Sequence, residues 1–159
     1  MSVQRGFTLV ELLVTISIIS ILSVIGITVF SSAQNSARNA KVLGDFDAMY
    51  KNIEIARSTQ QKTLFQLTGL GCSDCGACRS NDWTNCLERM ATSYSRVTTA
   101  PLPLDPWGRP YFWDENEGEF SPTDCRQDSI RSAGPDGNTN TSGDNKVFYI
   151  PLSGYTGGC

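Results

Sequence analysis

Between Phe7 and Phe30 the chain runs for 24 residues with a single charge, Glu11. As a helix, at about 1.5 Å per residue, this run is roughly 36 Å long, enough to cross the hydrocarbon core of a bilayer. It is too long for a secretory signal, whose apolar stretch is about 7–15 residues ahead of a small-x-small cleavage site. A plain single-span anchor fits the length. It gives no reason, however, for the order Gly6-Phe7-Thr8-Leu9-Val10-Glu11 at the start of the span. A carboxylate a few residues inside an apolar helix is costly unless a partner meets it. Whatever the chain folds into must therefore include one long apolar helix and a use for Glu11.

Past Phe30 the pattern becomes amphipathic. Ala33, Ala37, Ala40, Leu43, Phe46, Tyr50, Ile53 and Ala56 recur at spacings of three and four, with Arg38, Lys41, Asp45, Lys51 and Glu54 between them. That is one face of a helix. The first proline is Pro101, so nothing breaks a single helix from Phe7 to Lys62. Such a helix is roughly 80 Å long. Gly26 is its weakest interior point, by about 1 kcal/mol relative to alanine. About 95 residues remain for a head, enough for one small core.

The residues Gly6-Phe7-Thr8-Leu9-x-Glu11-Leu12, behind the basic Arg5, resemble the class III signal of type IV pilins and pseudopilins. The resemblance implies that a prepilin peptidase cuts after Gly6 and that Phe7 is then N-methylated. It also implies that Glu11, fifth in the mature chain, pairs with an N-terminal amine during assembly. On this reading residues 1–6 are a leader and 7–62 the long helix, with 7–30 as membrane span and filament core. Residues 63–159 are a globular, disulfide-rich β head. Many members carry a proline in the first half of the helix, where this chain has Gly26.

Leu64 to Thr99 reads as a connector, with a short helix at Leu87–Met90. It contains Cys72, Cys75, Cys78 and Cys86; Cys125 and Cys159 follow later. An even cysteine count outside the cytoplasm reads as a disulfide framework. At least one of Cys72, Cys75 and Cys78 must then pair outside its cluster. Zinc would need four ligands, which Cys86 could complete, and Cys-x-x-Cys also occurs in redox sites. Leu104-Asp105-Pro106-Trp107-Gly108-Arg109-Pro110-Tyr111 resembles a segment of major pseudopilins and related pilins. Its residues read as turn and core. Strands are expected at Arg109–Trp113 and Glu119–Phe120, as a hairpin, and at Gln127–Ala133 and Lys146–Ile150.

The loop from Asp136 to Asn145 gathers Asp136, Asn138, Asn140, Thr141, Asp144 and Asn145, with Gly137 and Gly143 to let it turn. Calcium wants about six to eight such oxygens. The loop begins like an EF-hand, but Thr141 stands at the glycine position and Val147 at the bidentate glutamate. It is more similar to the Ser-x-Gly-x-Asp-Gly loop with a later Asp pair that holds calcium in major pseudopilins. Ser132, Gly134, Asp136, Gly137 and Asp144 match, and Asn145 replaces the second Asp. The resemblance makes Asp136, Asp144 and Asn145 the metal residues, helped by backbone carbonyls near Ala133 and Asn138.

The chain has no histidine, which excludes a histidine base or ligand. A net charge of −3 gives no footprint for nucleic acid. The expected fold is α+β: a long N-terminal helix packed by its second half on a small antiparallel sheet. The expected role is a structural one, not an enzyme's. The chain is read as a filament subunit of a type IV pilus or a type II secretion pseudopilus. Its partners would be further copies of itself, a prepilin peptidase, an assembly ATPase and platform, and a secretin where an outer membrane exists. It would wait in the inner membrane and then enter a periplasmic or extracellular filament. The Asp-Pro-Trp-Gly segment and the acidic loop point to the pseudopilus, while the cysteine-rich connector and the missing proline point away. The alternative is a membrane-anchored cysteine-rich binding or redox module.

Overall fold

The computed structural model describes residues 6–69, 76–121, 123–141 and 143–155, without the side chains of 25–28. Three helices and three strands follow in order: α1 Leu9–Gln60, α2 Leu64–Thr68, α3 Trp83–Ser95, β1 Phe112–Asp114, β2 Ser129–Ser132 and β3 Lys146–Tyr149. The chain divides into two compact units, Met1–Asn39 and Ala40–Cys159.

The first unit is the N-terminal part of α1, the one described helix long and apolar enough to cross a membrane. Gly26 lies inside α1 without interrupting it. The hydroxyls in the apolar run do not stand alone. Thr15 donates to the Leu12 carbonyl at 2.7 Å, Ser17 to Leu13 at 2.8 Å, Ser20 to Ile16 at 2.7 Å and Ser23 to Ile19 at 2.7 Å. A hydroxyl satisfied by its own helix costs little in an apolar setting.

The second unit has its own core. From α1 it receives Val42, Phe46, Met49, Ile53 and Ala56, all buried. The spacing of four and three is as expected, but the stripe is shifted from the one read in the sequence. Val42 points in and Leu43 points out, because an alternation of four and three from Phe46 reaches 42 rather than 43.

The sheet has the order β1-β2-β3, antiparallel throughout. One cross-strand row is Trp113, Ile130 and Phe148. Phe148 meets Phe46 and Tyr50 of α1 with ring centroids at 6.2 and 5.5 Å. On α3, Tyr94 lies 5.6 Å from the Trp113 ring, and Ser93 accepts the indole N–H at 3.1 Å.

The expected hairpin is not formed. β1 pairs with β2, and residues 119–120 are a bend. The reason lies in Asp128: its Oδ1 accepts the N–H groups of Asn116 and Glu117 at 2.7 and 2.8 Å, which turns the chain away. The short helix expected at 87–90 is the middle of the longer α3, started by Asp82, whose Oδ1 accepts the Asn85 N–H at 3.3 Å. At the end of α1, Arg57 is buried. It donates to Glu117 at 2.5 Å, Glu54 at 2.8 Å and the Pro151 carbonyl at 3.0 Å. Glu117 also accepts from the Ser153 N–H and hydroxyl. This cluster ties the last turn of α1 to the C-terminal segment.

Candidate functional site

Two places carry the residues that the sequence singled out. The first is the start of α1. Thr8 is its N-cap. The Thr8 Oγ1 accepts the Glu11 N–H at 3.3 Å, and Glu11 Oε2 accepts the Thr8 N–H and hydroxyl, each at 2.8 Å. This is a capping box, Thr-x-x-Glu. Sequence reasoning missed it, although Thr8-Leu9-Val10-Glu11 spells it out. Glu11 is thus held by its own first turn before any neighbour is considered. Gly6 has a different standing. A Cβ added there would meet nothing within 4 Å. The chain's own packing does not require glycine at that position, so any requirement comes from outside the chain. From Phe7 to Phe30 the described apolar side chains are exposed: Leu9 by 81%, Leu22 by 63% and Phe30 by 64%.

The second place is the acidic loop. The Thr141 hydroxyl lies 2.7 Å from Asp136 Oδ2, 2.8 Å from the Asn138 carbonyl and 3.3 Å from Asp144 Oδ1. The structure therefore brings Asp136 and Asp144 together. A hydroxyl has one proton and here faces three acceptors. Asp136 also accepts the Asn138 N–H at 2.8 Å, and its own N–H donates to Asp144 at 3.2 Å. The Asn138 N–H, then the Thr141 hydroxyl, hold the Asp136 carboxyl below its ordinary range. Asn145 donates to the Thr139 carbonyl at 3.1 Å, while its Oδ1 is buried with no hydrogen-bond partner. Among the described residues no three carboxylates, thiols or imidazoles converge.

Two segments frame this loop. In the Asp-Pro-Trp-Gly turn, Asp105 accepts the N–H groups of Trp107 and Arg109 at 3.0 and 2.9 Å. Gly108 takes φ +82°, which favours glycine. Asp105 also accepts the Ser132 hydroxyl at 2.8 Å, and Ser132 accepts the Gly134 N–H at 3.2 Å. The other frame is the connector. Cys78 and Cys86 are disulfide-bonded and buried. Within that ring Asn81 accepts the Thr139 N–H at 3.0 Å and hydroxyl at 3.1 Å. No sequence signal marks Asn81, because its partner is 58 residues away.

The disulfide also decides between the uses considered for Cys78 and Cys86. Cys78 and Cys86 cannot join a four-thiolate zinc set, and a buried bond between them is not an accessible redox pair. Cys125 is disulfide-bonded as well. Cys72, Cys75 and Cys159 lie outside the described residues.

The comparisons with known proteins fit this layout. Residues 1–27 match the family described as "Prokaryotic N-terminal methylation motif". The chain is 29% identical over 142 residues to the type II secretion system core protein G of Escherichia coli (strain K12), covering 89% of this chain and 88% of that protein. No solved structure matches. The motif covers the start of α1, and the similarity to a secretion core protein continues through the head. The fold joins a long apolar helix to a small antiparallel sheet. In its N-terminal motif, its long apolar helix and its small antiparallel sheet, the chain is similar to the type IV pilins and pseudopilins.

Proposed function

We propose that this chain is a subunit of a type II secretion pseudopilus, cut after Gly6 and assembled with copies of itself through α1. The observation that carries the reading is the exposed apolar run of α1, charged only at Glu11. Exposed apolar surface on this scale needs a bilayer or neighbouring helices. A membrane holds the subunit first, and helices of other copies replace the lipid in the filament. Glu11 then pairs with the methylated amine of Phe7, on its own chain or a neighbour, and fixes the axial register, since an unpaired charge in that core is costly. Similarity to a secretion core protein favours the pseudopilus over the surface pilus. The remaining partners are those of such a machine: a prepilin peptidase, an assembly ATPase and platform in the inner membrane, and a secretin. No reaction is assigned to the chain.

Gly6→Val tests the processing step. The variant should fold and insert, because Gly6 has open space around it, and remain as full-length precursor in the membrane. A mature-sized band in a peptidase-positive cell would contradict the reading. Deletion of the chain should stop export of a folded exoprotein and leave surface pili in place. Lost pili with intact export would instead make it a pilin.

Calcium is proposed for the acidic loop. The donor set fits: two carboxylates around one over-subscribed hydroxyl, and a buried amide oxygen, Asn145 Oδ1, without a partner. When bound, calcium would offset the charge gathered there. Asp136, Asp144 and Asn145 would hold it. With one carboxylate fewer than the resembled loop, affinity should fall to the millimolar range, ~10⁻⁴–10⁻³ M. Calorimetric titration should give heat with the wild type and none with Asp136→Ala or Asp144→Ala. Equal heats in all three would leave a polar turn.

A further inference from the structure

The Asp-Pro-Trp-Gly segment and the acidic loop meet through one side chain that neither the fold nor the calcium reading uses. Arg109 Nη1 donates to the Gly134 carbonyl at 2.6 Å, and Nη2 donates to the Pro135 carbonyl at 3.4 Å. Its guanidinium lies over the Trp83 ring, 5.8 Å from the centroid. The backbone of Gly137 closes the remaining side: a Cβ there would collide with the guanidinium. Both ends of Arg109 are fixed, since its N–H is held by Asp105, which also holds Ser132 next to the loop. Carbonyl oxygens turned onto one positive group are the arrangement a loop adopts around a bound cation. Here the cation belongs to the chain.

We propose that Arg109 is a built-in cation of this loop, a positioning residue that keeps residues 134–137 in their turn without any metal ion. The part of this proposal that concerns calcium rests on the calcium reading above; the ordering of the loop does not. Calcium then acts on the Asp136, Asp144 and Asn145 end alone and adds little order to a turn already held. Remove the guanidinium and that ordering passes to calcium. Lysine is a poor substitute, because a point ammonium lacks the planar fork that spans two carbonyls while stacking on an indole.

The test is amide hydrogen exchange on the full chain in detergent, in chelator and in about 10 mM calcium. In the wild type, residues 134–141 should be protected in chelator and change little with calcium. In Arg109→Gln, exchange of 134–141 should rise by about tenfold or more in chelator. Calcium should restore most of the protection, and Arg109→Lys should fall nearer to Gln than to the wild type. Peptides of α1 and β2, read in the same spectra, should stay as in the wild type; general loosening would mean a structural role and overturn the proposal. Unchanged exchange of 134–141 in Arg109→Gln in chelator would also overturn it. Loosening in chelator that calcium does not reverse supports the arginine's role and counts against the calcium reading, so the two fail separately.

Discussion

Glu11 occupies the third position of a capping box and also lies inside the apolar run, and each setting asks something different of it. A lost cap costs about 0.5–2 kcal/mol of helix stability. Glutamine keeps the box but carries no charge. If the charge pairs with an N-terminal amine, Glu11→Gln should cut filament yield as far as Glu11→Ala, with insertion and processing intact, by electron microscopy of sheared fractions. Normal filaments from the glutamine variant alone would reduce Glu11 to a cap. Asp128 offers a second test. Burial pushes its carboxyl up to about 6, although the Glu117 and Asn116 N–H groups hold one oxygen; its Oδ2 has no partner. The folded state thus holds a proton between about pH 4 and 6 that the unfolded state has lost, so stability from this group falls as pH rises through that window. Relative to the wild type, Asp128→Asn should gain up to about 3 kcal/mol between pH 4 and 7. Parallel denaturation curves at the two pH values would remove this role. Of these residues Glu11 was legible, because a lone charge in an apolar run is a local signal. Asp128 was not: its environment is made by residues distant in sequence.

Among the elements, α1 was legible nearly to its last residue, since periodicity and the absence of proline are properties of the sequence itself. Three of the four expected strands are present, but 119–120 is a bend and β1 pairs with β2 instead. A turn signal at Asp114–Gly118 cannot reveal that Asp128 bends the chain there. The connector was the least legible, and it frames the acidic loop through Asn81 and Trp83. Replacing Cys78 and Cys86 by serine should cost about 2–3 kcal/mol for so short a ring. It should also loosen Thr139, whose N–H is held by Asn81. Urea denaturation checks the first, and an unchanged midpoint would show the bond idle. In the loop, Asp136 and Asp144 share the Thr141 hydroxyl. A chain lacking residues 1–30 should gain about 1.4 kcal/mol at tenfold excess calcium. That is a rise in Tm on the order of 5 °C, with less from magnesium, which demands tighter geometry. A melting curve indifferent to both ions would leave the loop held by its own hydrogen bonds and Arg109.

For the whole molecule, sequence and structure divide the work unevenly. The apolar helix and its signal were readable because they are defined by composition and order along a contiguous stretch. The head's core depends on which face of α1 meets the sheet, and that was legible only to within one position, with Val42 for Leu43 and Met49 for Tyr50. The helix has exposed apolar side chains and a pre-folded first turn, and the head has a stapled core and a shaped loop. On the proposed reading what unites them is maturation, and the fold itself does not require glycine at Gly6. The N-terminus of the chain recovered from membranes is therefore the measurement to make. Mass spectrometry of the N-terminal peptide should find Phe7 as the first residue, carrying one methyl group on its amine. A chain that still begins at Met1 or Ser2, in cells with an active prepilin peptidase, would contradict the assignment and leave a plain membrane anchor.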